Sequence, residues 1–400
     1  MDHSNSAQPL GLKEYRIRFG GFAQGFAERP AELGFVSLAD HSFYDMILPF
    51  SIVTMDNGGV LLLGGAQRNW REGRKDSPRI QAFCAVSYDS GRTFSSFQEI
   101  PGSHCRPSGL VCLGHGELYF RSIEKEGDAF VCSNFYSSDY GQSWSVRFRE
   151  EYPPLTGRIA WTEGDSWVDF DAKGNPLTVW ETLYDTSLGW PTEPTLSLIR
   201  KSNDKGISFT YYDHPANWIW KESVGGKEYR RSVGEASLVR AQNGWMVAAL
   251  RTDIPAKFLQ TPHDDSLCGL AVALSRDDGA TWSDPQILFE AGRHHPSFVR
   301  LPDGRLVMTY IVRDDIREGR LASYRRGCEA LISEDNGLSW NRNGMYILDE
   351  FQYLKDDDCW FDGNTGHCCS TLAPDGSILT VYGNYSCPGM CLIKWHPDAV

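Results

Sequence analysis

The sequence predicts an all-β fold: a six-bladed β-propeller whose blades are four-stranded antiparallel sheets, with the ring closed by strands from the two ends of the chain. Three observations predict it. An eight-residue pattern, Ser-x-Asp-x-Gly-x-Thr-Trp, stands at Ser275–Trp282 and recurs as Ser87–Phe94, Ser137–Trp144, Ser202–Phe209 and Ser333–Trp340. A second repeat lies between these copies, a pair of apolar runs about a glycine turn, at Asp56-Asn57-Gly58, His115-Gly116, Lys173-Gly174, Asn243-Gly244, Asp303-Gly304 and Asp375-Gly376. Finally, 12% aromatic residues with 39 glycines and 20 prolines suit many short strands joined by turns, and 41% hydrophobic residues suffice for a packed core.

Each octapeptide follows an apolar, strand-like run. Its aspartate can bond the backbone across the turn, its glycine takes the φ > 0 position, and its aromatic anchors the returning strand. The aspartates Asp89, Asp139, Asp204, Asp277 and Asp335 are therefore read as structural, because a turn aspartate is already used by its own backbone. Each glycine hairpin is flanked by apolar runs such as Phe298–Leu301 and Leu306–Tyr310. Five of the six hairpins are followed by an octapeptide hairpin, and two hairpins make one blade. The last blade has only Met390–Trp395 as a later strand, so Glu14–Phe19 is expected to supply the missing one.

Residues 1–12 are expected to form a disordered tail and residues 13–400 a single domain, since no linker or low-complexity run divides the chain. The formal net charge of -13 argues against a nucleic-acid partner, whose phosphates it would repel, and leaves a polar or sugar ligand open. Met1–Leu12 lacks the apolar segment of a secretion signal, and no run is long enough to span a membrane, so a cytoplasmic location is expected. The 11 cysteines are scattered through strand-like runs, as at Cys84, Cys112, Cys132 and Cys391, and read as small buried hydrophobes in a reducing compartment. With neither HExxH nor paired CxxC, no metal or other cofactor is expected.

Antiparallel order assigns residues to faces. With the octapeptide turns and glycine turns at one end, the opposite rim receives the start of each first strand, the end of each second strand and the loop into the third. Read in turn, these places hold Tyr44, Asp45, Arg68 and Asp76; His104, Arg106 and Arg121; Glu163, Asp165 and Glu181; Glu235, Arg251, Asp264 and Asp265; His294, His295, Arg313, Arg325 and Arg326; and Asp362, His367 and Tyr382. Any one of these is ordinarily just an exposed loop residue. Taken together they are strongly ionisable at positions chosen by topology alone, which marks a candidate site.

The octapeptide is the Asp-box, and the chain resembles the sialidase (neuraminidase) superfamily of propellers. That resemblance implies an exo-acting glycoside hydrolase that releases a terminal acidic sugar. Members hold the substrate carboxylate with three arginines and attack through a tyrosine activated by a glutamate, with an aspartate as acid/base. Gly234-Glu235-Ala236-Ser237-Leu238, followed by a glycine turn and Ala249-Leu250-Arg251, resembles the segment carrying the glutamate and second arginine. Tyr324-Arg325-Arg326-Gly327 resembles the third-arginine region, with Arg326 the better match. Asp76 corresponds in position to the acid/base aspartate. Two places depart from the pattern. Ile47-Leu48-Pro49 stands where the first arginine belongs, with Arg68 or Arg106 as substitutes. Gly366-His367-Cys368-Cys369-Ser370 stands where the nucleophilic tyrosine belongs, with Tyr382 or Tyr353 as substitutes.

Histidines favour a second expectation. His104, His295 and His367 occupy or adjoin the first-strand start in three blades, and imidazole acts as acid or base near neutral pH. The sequence thus supports a sialidase-type hydrolase with Glu235, Asp76, Tyr382, His367 and His295 as catalytic candidates and Arg251, Arg326, Arg106, Arg68 and Glu163 as substrate-binding ones. It leaves open a histidine-dependent rhamnosidase or uronate-directed lyase on the same fold, and a non-catalytic propeller that binds glycans.

Overall fold

The computed structural model describes residues 8–9, 11–36, 46–67, 81–103, 107–126, 129–151, 160–161, 164–186, 188–259, 265–353, 365–384 and 390–399. Strands dominate, and the helical segments among these residues are single 3-10 turns such as Ala216–Trp218 and Ala256–Phe258. No helix among them is long and apolar enough to cross a membrane.

Four antiparallel sheets follow one another along the chain. The first is Met46–Thr54, Val60–Gln67, Gln81–Ser87 and Gln98–Glu99; the second runs from Pro107–Gly114 to Ser145–Glu151. In the third, Trp167–Phe170 and Ala160–Trp161 both pair with Pro176–Asp185, and the fourth runs from Val233–Arg240 to Gln286–Phe289. Central strands such as Val60–Gln67 and Leu306–Val312 are near-continuous apolar runs because neighbouring sheets cover both of their faces.

Nine further strands form one sheet: a four-stranded meander starting at Arg293–Arg300 and a three-stranded one starting at Thr365–Leu372, linked through the N-terminal hairpin of Lys13–Gly21 and Gly25–Val36. Here the structure corrects the sequence reading. Gly25–Val36, not Glu14–Phe19, pairs with Met390–Trp395 and fills the missing strand, while Lys13–Gly21 pairs with Met345–Gln352 of the preceding meander. Pro30 and the charged Glu28, Arg29 and Glu32 hide that strand in the sequence, since proline and charge normally argue against a sheet interior. Gln8–Pro9, expected within a disordered tail, form a two-residue bridge to Thr93–Phe94.

First strands of successive sheets pack side by side, and Thr365–Leu372 returns to Met46–Thr54, so the arrangement is propeller-like about an axis. The octapeptide turns lock it. In each, as at Ser87–Thr93, the serine Oγ accepts the glycine N–H (2.9 Å), and the aspartate accepts the backbone N–H (2.8 Å) and hydroxyl (2.6 Å) of the residue four places on. The same bonds recur around Asp139, Asp204, Asp277 and Asp335. A Cβ on Gly141 would lie 2.2 Å from Leu61, on Gly206 2.6 Å from Tyr119, on Gly337 2.9 Å from Val247 and on Gly91 2.6 Å from Leu379. Each of these glycines therefore seats its turn against the second strand of the preceding sheet, and Gly91 carries that order from the last sheet back to the first.

Candidate functional site

The site is built by β-bulges at one level of the inner strands. Pairing skips Phe50 in the first sheet, Gly109 and Leu110 in the second, Gly234 and Glu235 in the fourth, and, in the nine-stranded sheet, His295 and Pro296 of one meander and His367 of the other. A bulge adds a residue that the ladder cannot use and re-aims its side chain. Phe50, Gly109, Glu235, His295 and His367, joined by Asp165 from the coil leading into Trp167–Phe170, consequently line one narrow axial pocket. His295 and His367 hold φ values of 50° and 47°, a conformation uncommon for a side-chain-bearing residue.

Charge is concentrated at Glu235. Arg251 reaches its Oε1 at 2.7 Å, and His295 Nδ1 lies 3.4 Å from its Oε2. Arg251 also meets Asp265 at 3.3 Å, and Asp265 forms a close ion pair with Arg313. Arg313 donates to the Thr365 carbonyl (2.7 Å) and faces His295 Nε2 at 3.4 Å. Because a guanidinium only donates, that contact assigns the ring proton to Nδ1, on the Glu235 side. Burial, with Arg313 and Arg251 adding to it against the pull of Glu235, lowers His295 to about 3, and His294 is likewise pushed well below its ordinary value. Both imidazoles are neutral at neutral pH. Burial would lower Arg251 too, but Cys268, Glu235 and Asp265 raise it well above its ordinary value. The His295 ring is 5.0 Å from that of His367, which stacks obliquely on Phe50 at 4.9 Å.

Asp165 ties the axis together. Its Oδ2 accepts the Phe298 N–H at 2.7 Å, its own N–H donates to Ser237 Oγ at 2.8 Å, and Ser237 donates to the Pro296 carbonyl at 2.6 Å. Burial raises the Asp165 carboxyl to about 6, against the hydrogen bonds from Ser297, Phe298 and Ser237. Below it an axial cavity of about 530 Å³, lined by Trp167, Asp169, Arg240 and Arg300 among others, reaches toward the other end.

Glu235, Arg251, His295 and His367 are thus brought together, with Arg313, Asp265 and Asp165. Arg326 stands one row back, with Asp314 at 3.4 Å and the Tyr353 ring at 5.9 Å. Tyr382 departs from the sequence reading. Its hydroxyl donates to Asp349 within the buried cluster between the two last meanders, and Asn384 donates to it at 3.2 Å. Strand alternation explains this: the bulge at His367 turns that residue to the axis, whereas regularly paired Tyr382 faces the neighbouring sheet. Arg121 and Glu181 depart from the rim as well. They form a fully buried triad with Arg200, at 2.5 Å and 2.7 Å, and Tyr119 donates to Glu181 at 2.7 Å. Arg325 sits in a similar network with Glu329, Asp315 and Arg293. Asp76, Arg68, Arg106 and Glu163 lie outside the described residues, as do Tyr44, Asp45, His104, Asp264 and Asp362. Phe50 and Ser108 line the pocket without having been singled out, and Cys368 was named only within the segment around His367.

Solved structures match this architecture over most of the chain. A Hadza microbial sialidase superposes with a TM-score of 0.61 at 14% identity, covering 94% of this chain and 71% of its own. The fold is sialidase-like. The intramolecular trans-sialidase of Ruminococcus gnavus gives 0.57 at 14% identity, over 91% of this chain and 97% of its own. An α-L-arabinanase of Penicillium chrysogenum gives 0.53 at 12% identity, over 97% and 100%. No family model matches the sequence, and no curated protein matches it.

Proposed function

We propose that this chain is a six-bladed, Asp-box propeller of the sialidase superfamily and an exo-acting glycoside hydrolase that removes a terminal acidic sugar from glycans. The observation that carries the proposal is the Glu235 carboxylate at the axial pocket, held by Arg251 on one oxygen and faced by His295 on the other. In this reading Glu235 accepts a proton during bond cleavage, and Arg251 and Arg313 recognise the sugar carboxylate by displacing Asp265, whose side chain is 26% exposed while theirs are 12% and 1%. His367 stands where the superfamily pattern has its tyrosine, and Tyr382 is committed to Asp349. That favours a second reading, in which His295 and His367 perform the acid/base chemistry of a rhamnosidase or uronate-directed enzyme.

A cross of two variants with two substrates separates these readings. Arg251→Lys should lose most turnover on an acidic glycoside and much less on a neutral one, because lysine cannot present two parallel donors. Glu235→Gln should lower kcat more than it raises KM on both. Equal losses of kcat/KM for Arg251→Lys on the two substrates would remove carboxylate recognition. Full activity of both variants would move the chemistry to the histidines.

A further inference from the structure

His294 is fully buried, and among the described residues neither of its ring nitrogens has a hydrogen-bond partner. A buried imidazole normally finds at least one, since leaving it unmade costs the desolvation of that nitrogen. The bulge that begins after His294 breaks strand alternation, so two consecutive histidines come to the same carboxylate. One donor atom from each of Glu235, His294 and His295 falls within 4.8 Å of the others.

We propose that Glu235, His294 and His295 form a binding site for one divalent transition-metal ion of the zinc class. Two imidazoles with one carboxylate select such an ion over magnesium or calcium, which prefer oxygen ligands throughout. Ligands about 2.0–2.1 Å from a tetrahedral ion lie roughly 3.4 Å apart, and Glu235 Oε2 and His295 Nδ1 are separated by 3.4 Å. The His294 donor atom must move closer to complete the set, and Glu235 and His295 line the axial pocket. The ion has opposition to overcome. Coordination through Nδ1 moves the His295 proton to Nε2, where it meets Arg313, so that guanidinium must turn aside. Arg251 and Arg313 are balanced by Glu235 and Asp265, which leaves the cluster near neutral before the ion arrives.

Metal binding stands independently of the sugar reading, although a metal-bound Glu235 could no longer accept a proton, so the loaded protein would be silent as a hydrolase. The test uses the full chain, stripped with chelator and equilibrated with Zn²⁺ or Co²⁺ in the absence of any sugar. The expected result is one ion per chain, and visible d–d bands of four-coordinate Co²⁺ without thiolate charge-transfer absorption. His294→Ala and Glu235→Gln should each weaken binding by at least about tenfold, a loss that even outer partners of metal ligands produce. His294→Gln serves if the alanine variant does not fold. No retained ion, undiminished retention in the variants, or a thiolate band that places the ion on cysteine would each overturn the proposal.

Discussion

Glu181→Gln tests the reassignment of the most buried ionic group from the rim to the interior. Glu181, Arg121 and Arg200 are all 0% exposed, and Tyr119 adds a third bond to the carboxylate. Glutamine keeps the shape but leaves two guanidiniums without their counter-charge in a low-dielectric interface. Breaking such a pair costs roughly 3–5 kcal/mol. Titration gives a second route to the magnitude. Burial pushes the carboxyl up, but Arg121 and Arg200 overcome it and hold it at about 2 against an ordinary 4.5. That depression corresponds to roughly 3 kcal/mol of stability. For a carboxyl lowered on folding, the contribution is complete above pH 4.5 and is lost as pH falls toward 2. Urea unfolding of wild type and Glu181→Gln at pH 7 and pH 4 should therefore show a gap of roughly 3 kcal/mol that narrows by roughly 1 kcal/mol at the lower pH. Because Glu181 does not line the axial pocket, the folded variant should keep its specific activity. An unchanged midpoint at pH 7, a gap insensitive to pH, or a stable variant without activity would refute the placement.

Asp277→Ala should lower the melting temperature, since Thr281 donates to that carboxylate through both hydroxyl and backbone, yet leave specific activity of the folded protein intact. A fully stable but inactive variant would make the turn aspartate part of the chemistry. Asp165→Asn should change how stability depends on pH. Burial raises this carboxyl to about 6, so folding favours its protonated form, and wild type should lose roughly 2 kcal/mol relative to the asparagine variant as pH rises from 4 to 6. Parallel stability curves across that range would show that Asp165 titrates normally.

Much of the architecture was legible because its signals are local. A turn aspartate finds the N–H and hydroxyl four residues on without reference to the rest of the chain, so five copies of Ser-x-Asp-x-Gly gave five like turns. The pairing of Glu235 with Arg251 was nearly as accessible, since both lie on adjacent strands of one hairpin at corresponding heights. Matters that depend on packing between sheets were not accessible. Whether Glu181 and Arg121 reach solvent, or Tyr382 the axis, depends on which face of a strand the neighbouring sheet covers, and alternation leaves both choices open until register is known. Bulges decided the site itself: one unpaired residue turned His295 and His367 to the axis while Tyr382, in regular pairing, went to Asp349. Strand closure was also a tertiary decision. Gly25–Val36, with its proline and charges, becomes a strand because Lys13–Gly21 and Met390–Trp395 satisfy its backbone on both sides, a stabilisation that no window of its own sequence contains.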